Sequence, residues 1–191
     1  MSAKKGTWTS LMGNDIVVQM IEPDTEGVSG PGAEYGSVVS YNAMGYFLEG
    51  EVGTQGMMSS SLKHSRGRQP FEEMLNCRAQ IGEGDSLMGL ELSLRHANPG
   101  SVFRVRMNAK YAYGPSGRKE VQDSRYPVPA VPSMQHLEYE VTVLGVMDID
   151  TFMSRNSADF EDIHLRKECG NRNRWFYFER AESLYKRGFE R

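Results

Sequence analysis

The segment Leu137-Glu138-Tyr139-Glu140-Val141-Thr142-Val143-Leu144 constrains this chain more than any other. Apolar and polar residues alternate through it, so an extended backbone turns one face to a core and the other to water. A helix would scatter the same residues around its circumference. Val102-Phe103-Arg104-Val105-Arg106-Met107 alternates in the same way. Ile16 to Ile21 is rich in β-branched residues and is stopped by Glu22-Pro23-Asp24, and Ser37 to Tyr46 reads as a further strand. Phe71 to Leu75 is a shorter apolar patch. Gly/Pro-rich loops separate these runs at Gly27–Gly36 and over residues 114–133. Gly50 to Arg68 reads as a long surface connection with room for a short edge strand.

One helix is expected among the strands, near residues 86–96. Asp85-Ser86 can cap it, Leu87, Leu90 and Leu94 recur on one face, and Asn98-Pro99-Gly100 stops it. Residues 15–147 therefore read as an α+β domain, antiparallel strands around one short helix, behind a flexible arm over 1–14. A linker over 148–157 leads to a helical hairpin at 158–191. There Ser157 can cap a first turn carrying Asp159, Glu161 and Asp162, and Phe178, Ala181, Tyr185 and Gly188 share a face.

Composition narrows the function. The 191 residues suffice for one domain and an appendage, and no apolar run approaches the roughly 20 residues a membrane helix needs. Cys77 and Cys169 have no partner spacing for zinc or a disulfide framework, so no metal or cofactor is expected and the reducing cytoplasm or nucleus is. The net charge is −3, split as −7 before His164 and +4 after it; the body lacks the basic face that nucleic acid needs. His64, His96, His136 and His164 have no catalytic spacing, and no phosphate-binding glycine motif occurs.

Lys110-Tyr111-Ala112-Tyr113-Gly114-Pro115-Ser116-Gly117, then Val131-Pro132, then the Leu137–Leu144 strand resemble the C-terminal half of FKBP-type peptidyl-prolyl cis-trans isomerases. Leu87-Met88-Gly89-Leu90-Glu91-Leu92 matches that family's helix, and Val38-Val39-Ser40-Tyr41 with Pro70-Phe71 its N-terminal half. The resemblance implies a twisted antiparallel half-barrel wrapped round the helix, and a prolyl pocket of Tyr41, Phe71, Leu87, Leu90, Tyr113, Val131 and Tyr139. In it, the Leu87 backbone N–H and the Tyr113 hydroxyl would address ligand carbonyls. Such a pocket needs no nucleophile, acid or metal, because isomerisation only has to twist an Xaa-Pro amide.

The departures point to weak or lost turnover. Leu90 stands where the family has a tryptophan, Met57-Met58-Ser59-Ser60-Ser61 replaces a segment carrying an aspartate, and Ser86 replaces a valine. Insertions fall near Cys77–Gly84 and Lys119–Tyr126. The implied function is a prolyl-peptide binding module of a co-chaperone; the alternative is an active isomerase with a repacked pocket that assists folding.

The tail, with Arg166-Lys167-Glu168-Cys169-Gly170-Asn171 and then Ala181 and Tyr185, resembles the opening of a tetratricopeptide repeat. Large FKBPs have this domain order, and the helix wording is nearest their germline, small-RNA-pathway branch. About three repeats are needed for stability, so the chain is expected to end inside an array. Lys167 and Asn171, one turn apart, would then belong to a clamp for the C-terminal carboxylate of an Hsp90-type chaperone. Expected partners are thus proline-containing clients and such a chaperone, with no nucleic acid and no membrane.

Overall fold

The computed structural model describes residues 7–22, 32–50, 62–64, 69–84, 86–120 and 129–155. The hairpin, Asp85 and the Met57–Ser61 segment lie outside these described residues. The strands are β1 (Trp8–Ser10), β2 (Ile16–Glu22), β3 (Val38–Glu49), β4 (Lys63–His64), β5 (Glu72–Gln80), β6 (Val102–Met107) and β7 (His136–Met147). The helices are α1 (Met88–Leu94) and α2 (Ile149–Arg155), with 3-10 turns at Ala109–Tyr111 and Gly114–Ser116. All strand pairs are antiparallel, in the order β1-β2-β6-β7-β3-β4, and β5 shares the β3 edge with β4. The α+β class expected from the alternating segments is the one observed.

The alternation in β7 explains its central place. Leu137, Tyr139, Val141 and Val143 are buried in the core that α1 covers with Leu87, Leu90 and Leu94. Each such leucine contributes about 1.5–3 kcal/mol by leaving water. The helix comes close because Gly89 has no side chain: a Cβ there would lie 2.9 Å from the Met107 Cβ on β6. The opposite face of β7 carries charge. Glu138 is 0% exposed yet stable there, because Arg106 Nε donates to it at 2.6 Å and His64 Nε2 lies 2.8 Å away. Trp8 covers the Arg106 guanidinium at 4.7 Å, beside a small second core of Val17, Leu48 and Leu62.

Four expectations need correction. The arm over 1–14 is not loose throughout, since β1 pairs with β2 through Trp8↔Gln19 to Ser10↔Val17. The 71–75 patch is the start of a nine-residue strand. Its alternation is interrupted at Leu75-Asn76, where two residues oppose Asn42; Asn76 turns to φ +50° and its N–H donates to Asn42 Oδ1 at 2.7 Å. Helix α1 begins later than 86, with Leu87 rather than Ser86 at the N-cap and no side-chain cap bond. The linker holds α2, capped by Asp148, whose Oδ1 accepts from the Thr151 N–H at 2.8 Å.

Candidate functional site

The site is assembled where β3, β5 and β7 run side by side. Gly45 on β3 faces Tyr139 on β7 and Glu72 on β5. A Cβ at Gly45 would fall 2.8 Å from the rings of both Phe71 and Tyr139, so the missing side chain is what lets these two aromatics close over the strand. Phe71 then stacks on Phe47 at 4.3 Å and meets Tyr139 edge-on at 6.2 Å.

The loop after β6 supplies the other wall. Asn108 caps the first 3-10 turn, accepting from the Lys110 N–H, and Gly114 turns the chain at φ +65°. Gly117 sits so close to the opposing strand that a Cβ would lie 2.3 Å from the Val131 carbonyl oxygen. Arg118 and Val131 can therefore exchange two backbone hydrogen bonds, each 2.8 Å. That bridge brings the Arg118 side chain over the aromatic cluster. Its guanidinium lies 4.7 Å from the Tyr113 ring centre and 5.9 Å from that of Phe71.

Arg118 is held by polar partners as well. Its Nη1 donates to Glu72 Oε2 at 2.7 Å and to the Tyr113 hydroxyl oxygen at 2.5 Å, and its Nε donates to the Pro129 carbonyl at 3.0 Å. Glu72 Oε1 accepts from the Tyr139 hydroxyl at 2.6 Å. The Glu72 and Arg118 side chains are 9% and 13% exposed, so each charge is desolvated and each needs the other. Close by, at the head of β7, His136 Nδ1 accepts from the Ala109 N–H at 3.1 Å. Burial pushes the pKa of this imidazole below its usual 6.5.

All seven residues named from the sequence belong to the main hydrophobic core, together with many other side chains. Tyr41, Leu87, Leu90, Val131 and Tyr139 are buried in it, and Phe71 and Tyr113 are half-buried against it. Leu90 is 1% exposed on the inner side of α1. The Leu87 carbonyl opens the helix by accepting from the Glu91 N–H at 2.9 Å. Lys167 and Asn171 lie outside the described residues. Glu72 and Arg118 were not anticipated. Glu72 could have been, because it stands two residues before the inward-facing Met74 and so on the same face of the strand. Arg118 carries no such mark; only the fold brings it to a carboxylate 46 positions away.

Among the described residues no group of three His, Cys, Asp or Glu could hold a metal ion. What the described residues offer here is a buried aromatic and aliphatic cluster, reached from outside through the half-buried Phe71 and Tyr113, with one internal ion pair beside it.

Residues 30–144, more than half of the chain, match the family model described as FKBP-type peptidyl-prolyl cis-trans isomerase. No curated protein matches. Among solved structures, the peptidyl-prolyl cis-trans isomerase of Pseudomonas syringae pv. tomato is similar at 15% identity and TM-score 0.47, over 70% of this chain and 76% of its own. The three FKBP domains of wheat FKBP73 are similar at 19% identity and TM-score 0.46, over 70% of this chain and 47% of that one. The N-terminal domain of FKBP42 from Arabidopsis thaliana is similar at 20% identity and TM-score 0.47, over 78% and 98%.

Proposed function

The chain belongs to the FKBP-type peptidyl-prolyl cis-trans isomerase family, and from that premise we propose that its aromatic cluster binds prolyl segments while turning them over weakly or not at all. The cluster of Tyr41, Phe71, Leu87, Leu90, Tyr113, Val131 and Tyr139 supports the binding half of this reading. The chemistry asks for little else. An Xaa-Pro amide isomerises across a barrier of roughly 18–20 kcal/mol set by its resonance. A surface speeds this only by holding the twisted amide better than the planar one. Desolvation by aromatic faces works in that direction, since the twisted amide carries less charge separation.

Leu90 carries the other half. It is buried on the inner side of α1, at the position where the family resemblance places an indole. An aromatic contact is worth about 0.5–1.5 kcal/mol beyond its buried area, and leucine forgoes it. Replacing Leu90 with Trp is therefore expected to raise the rate of Xaa-Pro exchange by a few-fold to roughly tenfold. Exchange with a proline-containing tetrapeptide, followed by NMR, reads this directly. A folded Leu90→Trp protein with an unchanged rate would remove Leu90 as the reason for weak turnover.

A role as a co-chaperone belongs to the same proposal. It rests on the sequence of the tail, where Lys167 and Asn171 would contact the C-terminal carboxylate of an Hsp90-type chaperone. A cytoplasmic or nuclear site of action goes with that reading.

A further inference from the structure

We propose that Arg118 decides what the aromatic site accepts: its guanidinium stands in the slot between Phe71 and Tyr113 as an internal occupant, and a neutral prolyl segment binds there by displacing it. The inference rests on the prolyl-binding reading, which is what gives those two rings a ligand.

Three observations carry it. First, the guanidinium lies against the rings of Tyr113 and Phe71, at 4.7 and 5.9 Å from their centres. A planar cation on an aromatic face uses the same surface that a pyrrolidine ring would use. Second, the groups around the slot already face the guanidinium. Glu72, the Tyr113 hydroxyl oxygen and the Pro129 carbonyl all accept from it. The Tyr139 hydroxyl fixes the second oxygen of Glu72 and so holds the anchor in place. Third, the guanidinium is not satisfied on every edge. Its Nη2 is buried, and no described residue accepts from it. A buried donor without an acceptor is unfavourable, so the occupant is held less firmly than a fully bonded arginine and can be displaced.

Specificity follows from what displacement leaves behind. Proline has no charge to offer Glu72, so every neutral prolyl ligand meets the same penalty for parting the Glu72–Arg118 pair. The slot is thereby closed to casual apolar contacts and opens only to segments with enough further contact outside it.

The test uses the full chain and a neutral tetrapeptide containing Leu-Pro, with binding followed by calorimetry. Arg118→Met keeps the length of the stem and removes the cation. It is expected to bind the peptide roughly tenfold more tightly than the unaltered protein. The double variant Glu72→Gln with Arg118→Met removes the orphaned carboxylate as well and is expected to keep the gain. Equal or weaker binding by folded variants overturns the proposal and leaves the prolyl reading standing. Absence of binding in all three proteins overturns both. The unaltered protein supplies a check that does not depend on the variants folding. Saturating peptide should shift the Arg118 Nε–H resonance, because that group leaves the Pro129 carbonyl. An unmoved resonance at saturation contradicts displacement.

Discussion

His136 and Glu138 stand two positions apart on one strand and solve the problem of burial differently. Glu138 is a desolvated charge with two partners, Arg106 and His64. His136 is a half-buried imidazole whose Nδ1 accepts from the Ala109 N–H, a bond that a proton on Nδ1 would end. Burial lowers its pKa below 6.5, so the folded chain holds this proton less tightly than the unfolded chain does. The stability it contributes is therefore complete above pH 6.5 and declines as the pH falls through 6.5 toward the depressed value. His136→Asn keeps an acceptor for the Ala109 N–H and removes the titration. Urea unfolding from above pH 6.5 down to about pH 5 should show a smaller acid-side loss in His136→Asn than in the unaltered protein. Identical pH profiles would mean that the buried acceptor is not coupled to the fold.

At the scale of elements, the helix on the sheet depends on one missing methyl. Alanine at position 89 would gain about 1 kcal/mol in helix propensity over glycine. It would also place a Cβ 2.8 Å from Met107 Sδ and 2.9 Å from Met107 Cβ, on a side chain that is fully buried. Overpacking of that kind costs about 1–3 kcal/mol, so Gly89→Ala is expected to lower stability despite its better propensity. A raised melting temperature would show that Met107 can yield. The elements also show what a sequence discloses. Strands β6 and β7 were legible from their alternation and β2 from its β-branched content, while β3 was legible although its alternation breaks at Val38-Val39 and Gly45-Tyr46. Strand β5 was half legible: the bulge at Leu75-Asn76 puts Met74 and Cys77 on the same side at a spacing of three, which no strand period predicts. β1 has only three residues, too few for a period. The α1 leucines were readable from their spacing, whereas its start was not, because Leu87 caps with backbone alone.

The whole molecule joins segments that sequence distance keeps apart. The seven cluster residues were nameable only because an ordered family resemblance assigned them. Periodicity alone would have left Tyr41 and Tyr139 as ordinary core aromatics, and both are indeed fully buried. The Glu72–Arg118 pair was beyond either route, since it depends on the Arg118–Val131 bridge that sets Arg118 beside the start of β5. The proposed function is that this assembled cluster binds prolyl segments without being an efficient isomerase. Exchange spectroscopy on a proline-containing peptide, with and without the full chain, tests it most directly. Saturable shifts of the peptide resonances are expected, with cis-trans exchange remaining near its uncatalysed time of tens to hundreds of seconds. Exchange accelerated to within about tenfold of a family member that keeps the pocket tryptophan would contradict it.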